Sequence, residues 1–402
     1  MKILHAFLFF SVSTGGGTTD FLYKLTRAQA SRGHEVTIYT GDYRLDPSYV
    51  RSLNGVRVRS FGSWMNSGFY IMPGLIPAAR REIPHFDVIH LHLYRSFQNI
   101  VLHHFARKFG VPYVMDSHGS LGRFARKRHV KAAFDHLFGE RLLREATRCI
   151  GETDMGVREY LERGVAPDKV VRIAPPFPIE EFADLPPAGL FRQRFGIEDS
   201  RRIVMFLGRI HWIKGIDILT EAFAQLAQRR SDVRLIIVGP DDGYRSNMEA
   251  LIDRLGIRER VMFTGFLAGR EKLSALVDAD VVVQTSRYEQ GAWAPIEAVL
   301  CGTPIIVSDN SGAGEDVRRM DAGYLVEFDN RQDLEEKIEH VLTHPDEARG
   351  KTLAAKAYVE THLSMARSVE KYERLYELCV REKGRGPGEV IAGSLPDGGV
   401  LR

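Results

Sequence analysis

Cysteine is scarce in this chain. Its three cysteines, Cys149, Cys301 and Cys379, stand far apart with no CxxC pair, which excludes a zinc ribbon and a secreted disulfide framework and points to a reducing cytosol. Long hydrophobic runs are lacking too. The longest uncharged stretch, residues 60–79, has the length of a membrane span, but Pro73, Pro77 and Asn66 argue against a spanning helix, and it reads as a mobile, aromatic-bearing loop. The apolar residues 1–10 read as a buried first strand leading into a glycine turn, not as a signal peptide. There is no GxGxxG: counted from Gly15, the third glycine position is held by Asp20. A nicotinamide fingerprint is therefore missing, which weakens an oxidoreductase reading.

No excess of one charge is present, with 55 Lys and Arg against 52 Asp and Glu. No nucleic-acid module is recognisable, and nucleic acid is not an expected partner. The balance hides an asymmetry, because residues 1–180 carry +9 and the remainder −6, so the two halves are expected to meet different partners.

What is present is an alternation. Apolar, β-branched runs at 2–10, 35–40, 56–61, 87–92, 112–117, 148–153 and 170–174 are separated by helical patterns, which implies a parallel sheet covered by helices. After a proline-rich passage the alternation restarts, with runs at 203–207, 233–238, 261–266, 280–285, 304–308 and 323–328. The expected layout is an N-terminal Rossmann-like domain at 1–176, a linker at 177–200, a second such domain at 201–345, one long helix at 346–382 reaching back towards the first domain, and a disordered tail at 383–402. Ligands bind outside the carboxyl ends of the strands in such sheets, so the chemistry is sought there.

Three motifs fall at such strand ends. Thr14-Gly15-Gly16-Gly17-Thr18 follows the first strand and precedes a helix expected at 20–31, a place where backbone N–H groups can approach an anion. Gly208-Arg209 and Lys214-Gly215 share one loop after the first strand of the second domain, and their guanidinium and ammonium can clamp a diphosphate from two directions. Glu289-Gln290-Gly291-Ala292-Trp293-Ala294-Pro295-Ile296-Glu297 follows the fourth strand of that domain. Pro295 suits a first helical turn, which puts Glu297 in that turn and Glu289 in the loop before it. Two carboxylates eight residues apart can accept hydrogen bonds from the hydroxyls of a ribose or hexose.

Together, these motifs and the following Ala298-Val299-Leu300-Cys301-Gly302-Thr303-Pro304 resemble the retaining glycosyltransferases of family 4, over residues 1 to about 381. The resemblance implies an α/β fold in the GT-B arrangement, two doubly wound Rossmann-like domains facing across a cleft. It implies that Arg209 and Lys214 neutralise the diphosphate of a UDP- or GDP-linked sugar and that Glu297 holds the ribose. Glu289, with Gln290, Gly291 and Ala292, would hold the donor sugar, Gly208 would line the same loop, and Gly16 and Gly17 would approach the diphosphate or acceptor. His118, in Asp116-Ser117-His118-Gly119, matches the family histidine beside the donor sugar. The family commonly has Glu-Gly-Phe-Gly where this chain reads Glu289-Gln290-Gly291-Ala292-Trp293, which opens the choice of donor sugar.

Breaking a sugar–phosphate bond builds negative charge on the diphosphate, and cations aimed at it are an economical catalyst. No metal and no cofactor is expected: Arg209 and Lys214 fit the role, no Asp-x-Asp lies in these motifs, and His90-x-His92 reads as structural. Retention is expected through same-face attack, with the departing phosphate oxygen accepting the acceptor's proton. On the acceptor side, Arg123, Arg126, Lys127, Arg128 and Lys131 stand near Phe124 and Phe134 and suit anionic headgroups or a lipid-linked glycan at the cytoplasmic membrane face. The leading expectation is hexosyl transfer to a saccharide or lipid-linked glycan in cell-surface polysaccharide or glycolipid synthesis. A sugar-nucleotide-binding protein without turnover is the alternative.

Overall fold

The computed structural model describes residues 1–66, 69–122, 128–291, 293–320 and 323–383, with the backbone alone at 12–16 and 65–66. The tail expected at 383–402 lies outside the described residues from 384 onward. The chain forms two compact units, one of Met1–Pro176 with the segment from Met365, the other of Phe177–Ser364.

The N-terminal unit is built on β1 (Lys2–Ala6), β2 (Glu35–Gly41), β3 (Val56–Phe61), β4 (Trp64–Asn66), β5 (Phe69–Ile71), β6 (Val88–His92), β7 (Tyr113–Asp116), β8 (Arg148–Gly151) and β9 (Val170–Arg172). Seven of these form one parallel sheet in the order β3-β2-β1-β6-β7-β8-β9. Helices on both faces bury the central strands, which is why they read as continuous apolar runs. Strand order reverses between β1 and β6, the position where such sheets open a crevice at their carboxyl ends.

Two local expectations change. The stretch read as a mobile loop holds an antiparallel hairpin, β4 with β5, in which Tyr70 is buried against Phe9 and Tyr43. The glycines expected in a turn lie inside a helix, Val12–Ser31, so Gly16 and Gly17 are helical residues near its start. Each glycine costs a helix about 1 kcal/mol relative to alanine. The fully buried Leu22, Leu25 and Thr26 anchor the same helix to the core, and a buried leucine returns about 1.5–3 kcal/mol.

The C-terminal unit has β10 (Arg202–Leu207), β11 (Val233–Val238), β12 (Val261–Gly265), β13 (Val281–Gln284), β14 (Ile305–Ser308) and β15 (Tyr324–Val326). They form a parallel sheet in the order β12-β11-β10-β13-β14-β15, reversing between β10 and β13. The segment expected as a linker, 177–200, contributes Phe177, Phe182 and Phe191 to this unit's core.

The single helix expected at 346–382 is two. Pro345–His362 buries Ala355 and Val359 in the C-terminal unit, and Met365–Lys383 buries Val369, Tyr372, Leu375, Tyr376 and Cys379 in the N-terminal one. The helical pattern runs through the junction, but Leu363 and Ser364 leave the helix to pair with Phe177, whose N–H donates to the Leu363 carbonyl at 2.9 Å.

Candidate active site

In the C-terminal unit Gly208 and Arg209 sit just past the carboxyl end of β10, with Lys214 in the same loop, and Glu289 to Gly291 lie in the loop after β13. The loops after β10 and β11 touch closely: a Cβ on Gly239 would lie 1.8 Å from the Gly208 carbonyl oxygen. The Ile210 N–H donates to the Pro240 carbonyl at 2.9 Å. Arg209 is thereby directed alongside the β11 loop and pairs with Asp242, both half exposed. Six residues after Arg209, Gly215 turns at φ +64°, and a Cβ there would meet the Thr285 carbonyl oxygen at 1.9 Å. The Thr285 hydroxyl returns a hydrogen bond to the Gly215 carbonyl at 2.8 Å. The β10 loop is thus fastened to the β13 loop, and Lys214 reaches Glu289 in a largely buried ion pair.

Glu289 is held from behind. Its carbonyl accepts the Gly312 N–H at 2.7 Å, and its carboxylate stands 3.4 Å from both the Ser286 hydroxyl and the Gln284 amide nitrogen. Gln290 is buried and Gly291 partly so, while Ala292 lies outside the described residues. Helix Trp293–Leu300 starts two residues before Pro295, so Glu297 falls in its second turn, not its first. There Glu297 accepts a 2.7 Å ion pair from Lys272 on helix Gly269–Asp278. Trp293, the departure from the family pattern, packs its ring 4.7 Å from that of Phe177.

Sequence reasoning missed Asp242 and Lys272, since neither belongs to a motif; Asp242 lies in the loop after β11, beside the β10 loop, and Lys272 on the helix that follows β12. Arg209, Lys214 and Lys272 each carry a carboxylate partner. An incoming phosphate must compete for them, while the carboxylates so released become acceptors for hydroxyls.

In the N-terminal unit His118 follows β7 with φ +45°, an uncommon conformation for a residue with a side chain. Its ring is 4% exposed. Nδ1 lies 2.7 Å from Glu152 and Nε2 lies 2.9 Å from His92 Nδ1, so both nitrogens are engaged. Burial disfavours the charged imidazole, but Asp116 and Glu152 outweigh it and raise the His118 pKa. Burial pushes Asp116 up to about 7, against the pull of His118. His5, His90 and His92 are also buried, and burial lowers the pKa of all three.

Among the described residues two groups have donor atoms spaced to hold a metal ion, His5 with His90 and His92, and Asp116 with His118 and Glu152. The two groups are hydrogen-bonded to one another through His92 and His118.

Of the basic acceptor-side residues, Arg123, Arg126 and Lys127 lie outside the described residues. Arg128 begins helix Arg128–Phe134 and is exposed; Lys131 is partly buried, which lowers its pKa, with Arg95 adding to the effect. Arg95, absent from every motif, donates to the carbonyls of Ser120, Leu121 and Gly122 and pairs with the buried Asp135. It fixes the loop that carries His118.

Residues 16–176 match the model of the glycosyl transferase 4-like domain, and residues 189–358 that of the glycosyl transferases group 1. A D-inositol 3-phosphate glycosyltransferase of Kineococcus radiotolerans is 28% identical over 326 residues, covering 74% of each chain. Its namesake in Nocardiopsis dassonvillei is 26% identical over 397 residues, covering 90% of each. Among solved structures, Anabaena HepE in complex with UDP-glucose superposes with a TM-score of 0.76 at 20% identity, over 94% of this chain and all of that one. The fold is therefore that of the GT-B enzymes, and the chain belongs to the group 1 glycosyltransferases.

Proposed function

We propose that this enzyme transfers a hexosyl group, with retention and without a metal, from a UDP- or GDP-linked sugar to a hydroxyl of a saccharide or lipid-linked glycan. The observation that carries the reading is the cluster Arg209, Lys214–Glu289 and Lys272–Glu297 around the β10/β13 reversal. Bound UDP and UDP-glucose in the Anabaena structures support a nucleotide-sugar donor. The names of the bacterial relatives support a polar, hydroxyl-bearing acceptor.

On this reading Arg209 and Lys214 neutralise the leaving diphosphate, where charge grows most in the transition state. Glu297, steadied by Lys272, accepts from the ribose hydroxyls, and Glu289 accepts from the sugar. Glu289 is then occupied and is no double-displacement nucleophile. Attack comes from the face the diphosphate leaves, whose phosphate oxygen takes the acceptor's proton. His118, with both ring nitrogens engaged, acts as a fixed charge and not as a proton shuttle.

Among the described residues no helix is long and apolar enough to cross a membrane. Trp64, Val130, Leu137 and Phe138 are nonetheless exposed on the N-terminal unit, and Arg128 is exposed beside Val130. Apolar side chains with neighbouring cations suit peripheral contact with an anionic lipid surface, and hence a lipid-linked acceptor. Gly16 and Gly17 lie in a helix whose own ladder uses their N–H groups, so a part on the acceptor side would come from the room left by their missing side chains.

The test is turnover: purified enzyme with UDP-, GDP- and ADP-sugars and an extracted lipid fraction, with and without chelator. Release of nucleoside diphosphate that survives chelation, with an axial linkage from an axial donor, is the expected outcome. Inversion or chelator-sensitive release contradicts the mechanism. Binding without release makes the chain a sugar-nucleotide-binding protein.

A further inference from the structure

We propose that Gln29, His5, His92, His118 and Glu152 form one continuous hydrogen-bonded relay, buried in the N-terminal unit, that holds His118 as an imidazolium and makes Gln29, His5 and His92 positioning residues for it. The relay has four links. Gln29 Oε1 is 2.8 Å from His5 Nε2, and His5 Nδ1 is 2.9 Å from His92 Nε2. His92 Nδ1 is 2.9 Å from His118 Nε2, and His118 Nδ1 is 2.7 Å from Glu152 Oε1.

The direction of these links fixes the protons. Gln29 presents its Oε1 to His5 Nε2, while the Tyr376 hydroxyl lies 2.6 Å from His90 Nδ1. An amide oxygen only accepts, so His5 carries its proton on Nε2. A neutral His5 then accepts at Nδ1 from His92 Nε2–H, and a neutral His92 accepts at Nδ1 from His118 Nε2–H. The Glu152 carboxylate accepts a hydrogen bond from His118 Nδ1–H. Both nitrogens of His118 are therefore donors, which only the cation can supply. The burial that keeps His5 and His92 uncharged and the carboxylates that raise His118 act in the same sense.

Every element around His118 agrees with this state. β7 brings the Asp116 carboxyl to 3.4 Å and the end of β8 brings that of Glu152 to 2.7 Å from His118 Nδ1. β6 brings His92 and His90, and β1 brings His5. Helix Val12–Ser31 brings the apolar Phe21, with its ring 5.2 Å from His118, and helix Met365–Lys383 brings the uncharged hydroxyls of Tyr372 and Tyr376. A metal held by His5, His90 and His92 is the competing arrangement. It requires converging lone pairs, whereas the His90 and His92 rings stack 4.0 Å apart at 27°.

The consequence for turnover rests on the reading of His118 given above, so the test separates the two. Histidine 15N NMR at pH 7 is expected to show His118 protonated on both nitrogens, with His5 and His92 neutral and protonated on Nε2. Q29M and H5F cut the relay away from His118. In either, the remaining histidines can reverse, His92 then donates to His118, and the His118 pKa falls by about one unit. The alkaline limb of the kcat–pH profile moves down with it.

An unshifted His118 in both folded variants overturns the relay. So does a singly protonated His118 in the wild-type spectrum, a readout that needs no variant to fold, or one equivalent of metal lost on H90F substitution. A shifted His118 with an unmoved kcat profile upholds the relay and overturns instead the part given to His118 in transfer.

Discussion

Lys272 and Glu297, 25 residues apart in sequence, are joined across 2.7 Å between two helices of the C-terminal unit. The pair is more than a surface contact, because Glu297 is nearly buried and its carboxylate needs a partner whether or not a ribose is present. Replacing Lys272 by Met is expected to weaken UDP binding about tenfold, the lower end of what a charge-assisted hydrogen bond is worth. Titration calorimetry with UDP checks it. Unchanged affinity would separate Glu297 from the nucleotide.

Arg209 and Lys214 are expected to act on the rate more than on binding. R209A and K214A should each lower kcat by about 100-fold or more, as removal of a transition-state donor does. Steady-state kinetics decides; a raised KM with an intact kcat assigns them to ground-state binding only.

The loop that carries these cations depends on two glycines. G215A and G239A each put a methyl group within 2 Å of a backbone oxygen, where something must shift. Each should cost well over the 1–3 kcal/mol of a strained backbone conformation alone. G243A, at φ +83° with nothing within 4 Å, should cost only about 1 kcal/mol. Thermal melts of the three compare overlap with strain directly.

The buried histidines make the N-terminal unit acid-sensitive. Burial lowers His5 to about 4 and holds His90 and His92 well below the ordinary 6.5. As pH falls below about 6.5 the unfolded chain therefore takes up protons at these histidines before the native state does, and stability falls. Asp116, raised by burial to about 7, works the other way. Its protonated form stabilises the native state below pH 4, and that contribution is lost as pH rises to about 7. His118, also raised, is protonated in both states below 6.5 and adds nothing in this window. Three against one leaves a net uptake of protons on unfolding, so stability falls as pH falls across this window. H90F should make that fall shallower, measured by urea titrations at pH 4.5, 5.5 and 6.5.

Membrane contact is expected to depend on apolar side chains. W64S with L137S should reduce co-sedimentation with vesicles containing anionic lipid, and leave turnover of a soluble acceptor unchanged. Equal sedimentation of variant and wild type removes this face as the contact.

The central strands were legible because a parallel sheet buried on both faces imposes apolar runs, and Val233–Val238 coincides with the expected 233–238; the edge strand Val56–Phe61 was found by its β-branched alternation instead. The start of helix Val12–Ser31 was not, because three glycines signal a turn locally while the anchors at Leu22 and Leu25 act from further along. The break at Leu363–Ser364 was hidden for a similar reason, since its cause is a pairing with Phe177 nearly two hundred residues away. In the site, Arg209, Lys214, Glu289 and Glu297 stood out by spacing after strands. Asp242, Lys272, Glu152 and Arg95 belong to no motif, and only the sheet order reveals what they face.

The return of helix Met365–Lys383 to the first unit bears on how the protein is made. During synthesis the ribosome releases the first 176 residues long before the segment that covers β1 and β6 and supplies Tyr372 and Tyr376. Until that segment emerges, His90 lacks its Tyr376 partner and one flank of the sheet stays open to water. The first half to be translated is thus the last to be finished, and a nascent chain stalled before Met365 is a natural client for a chaperone.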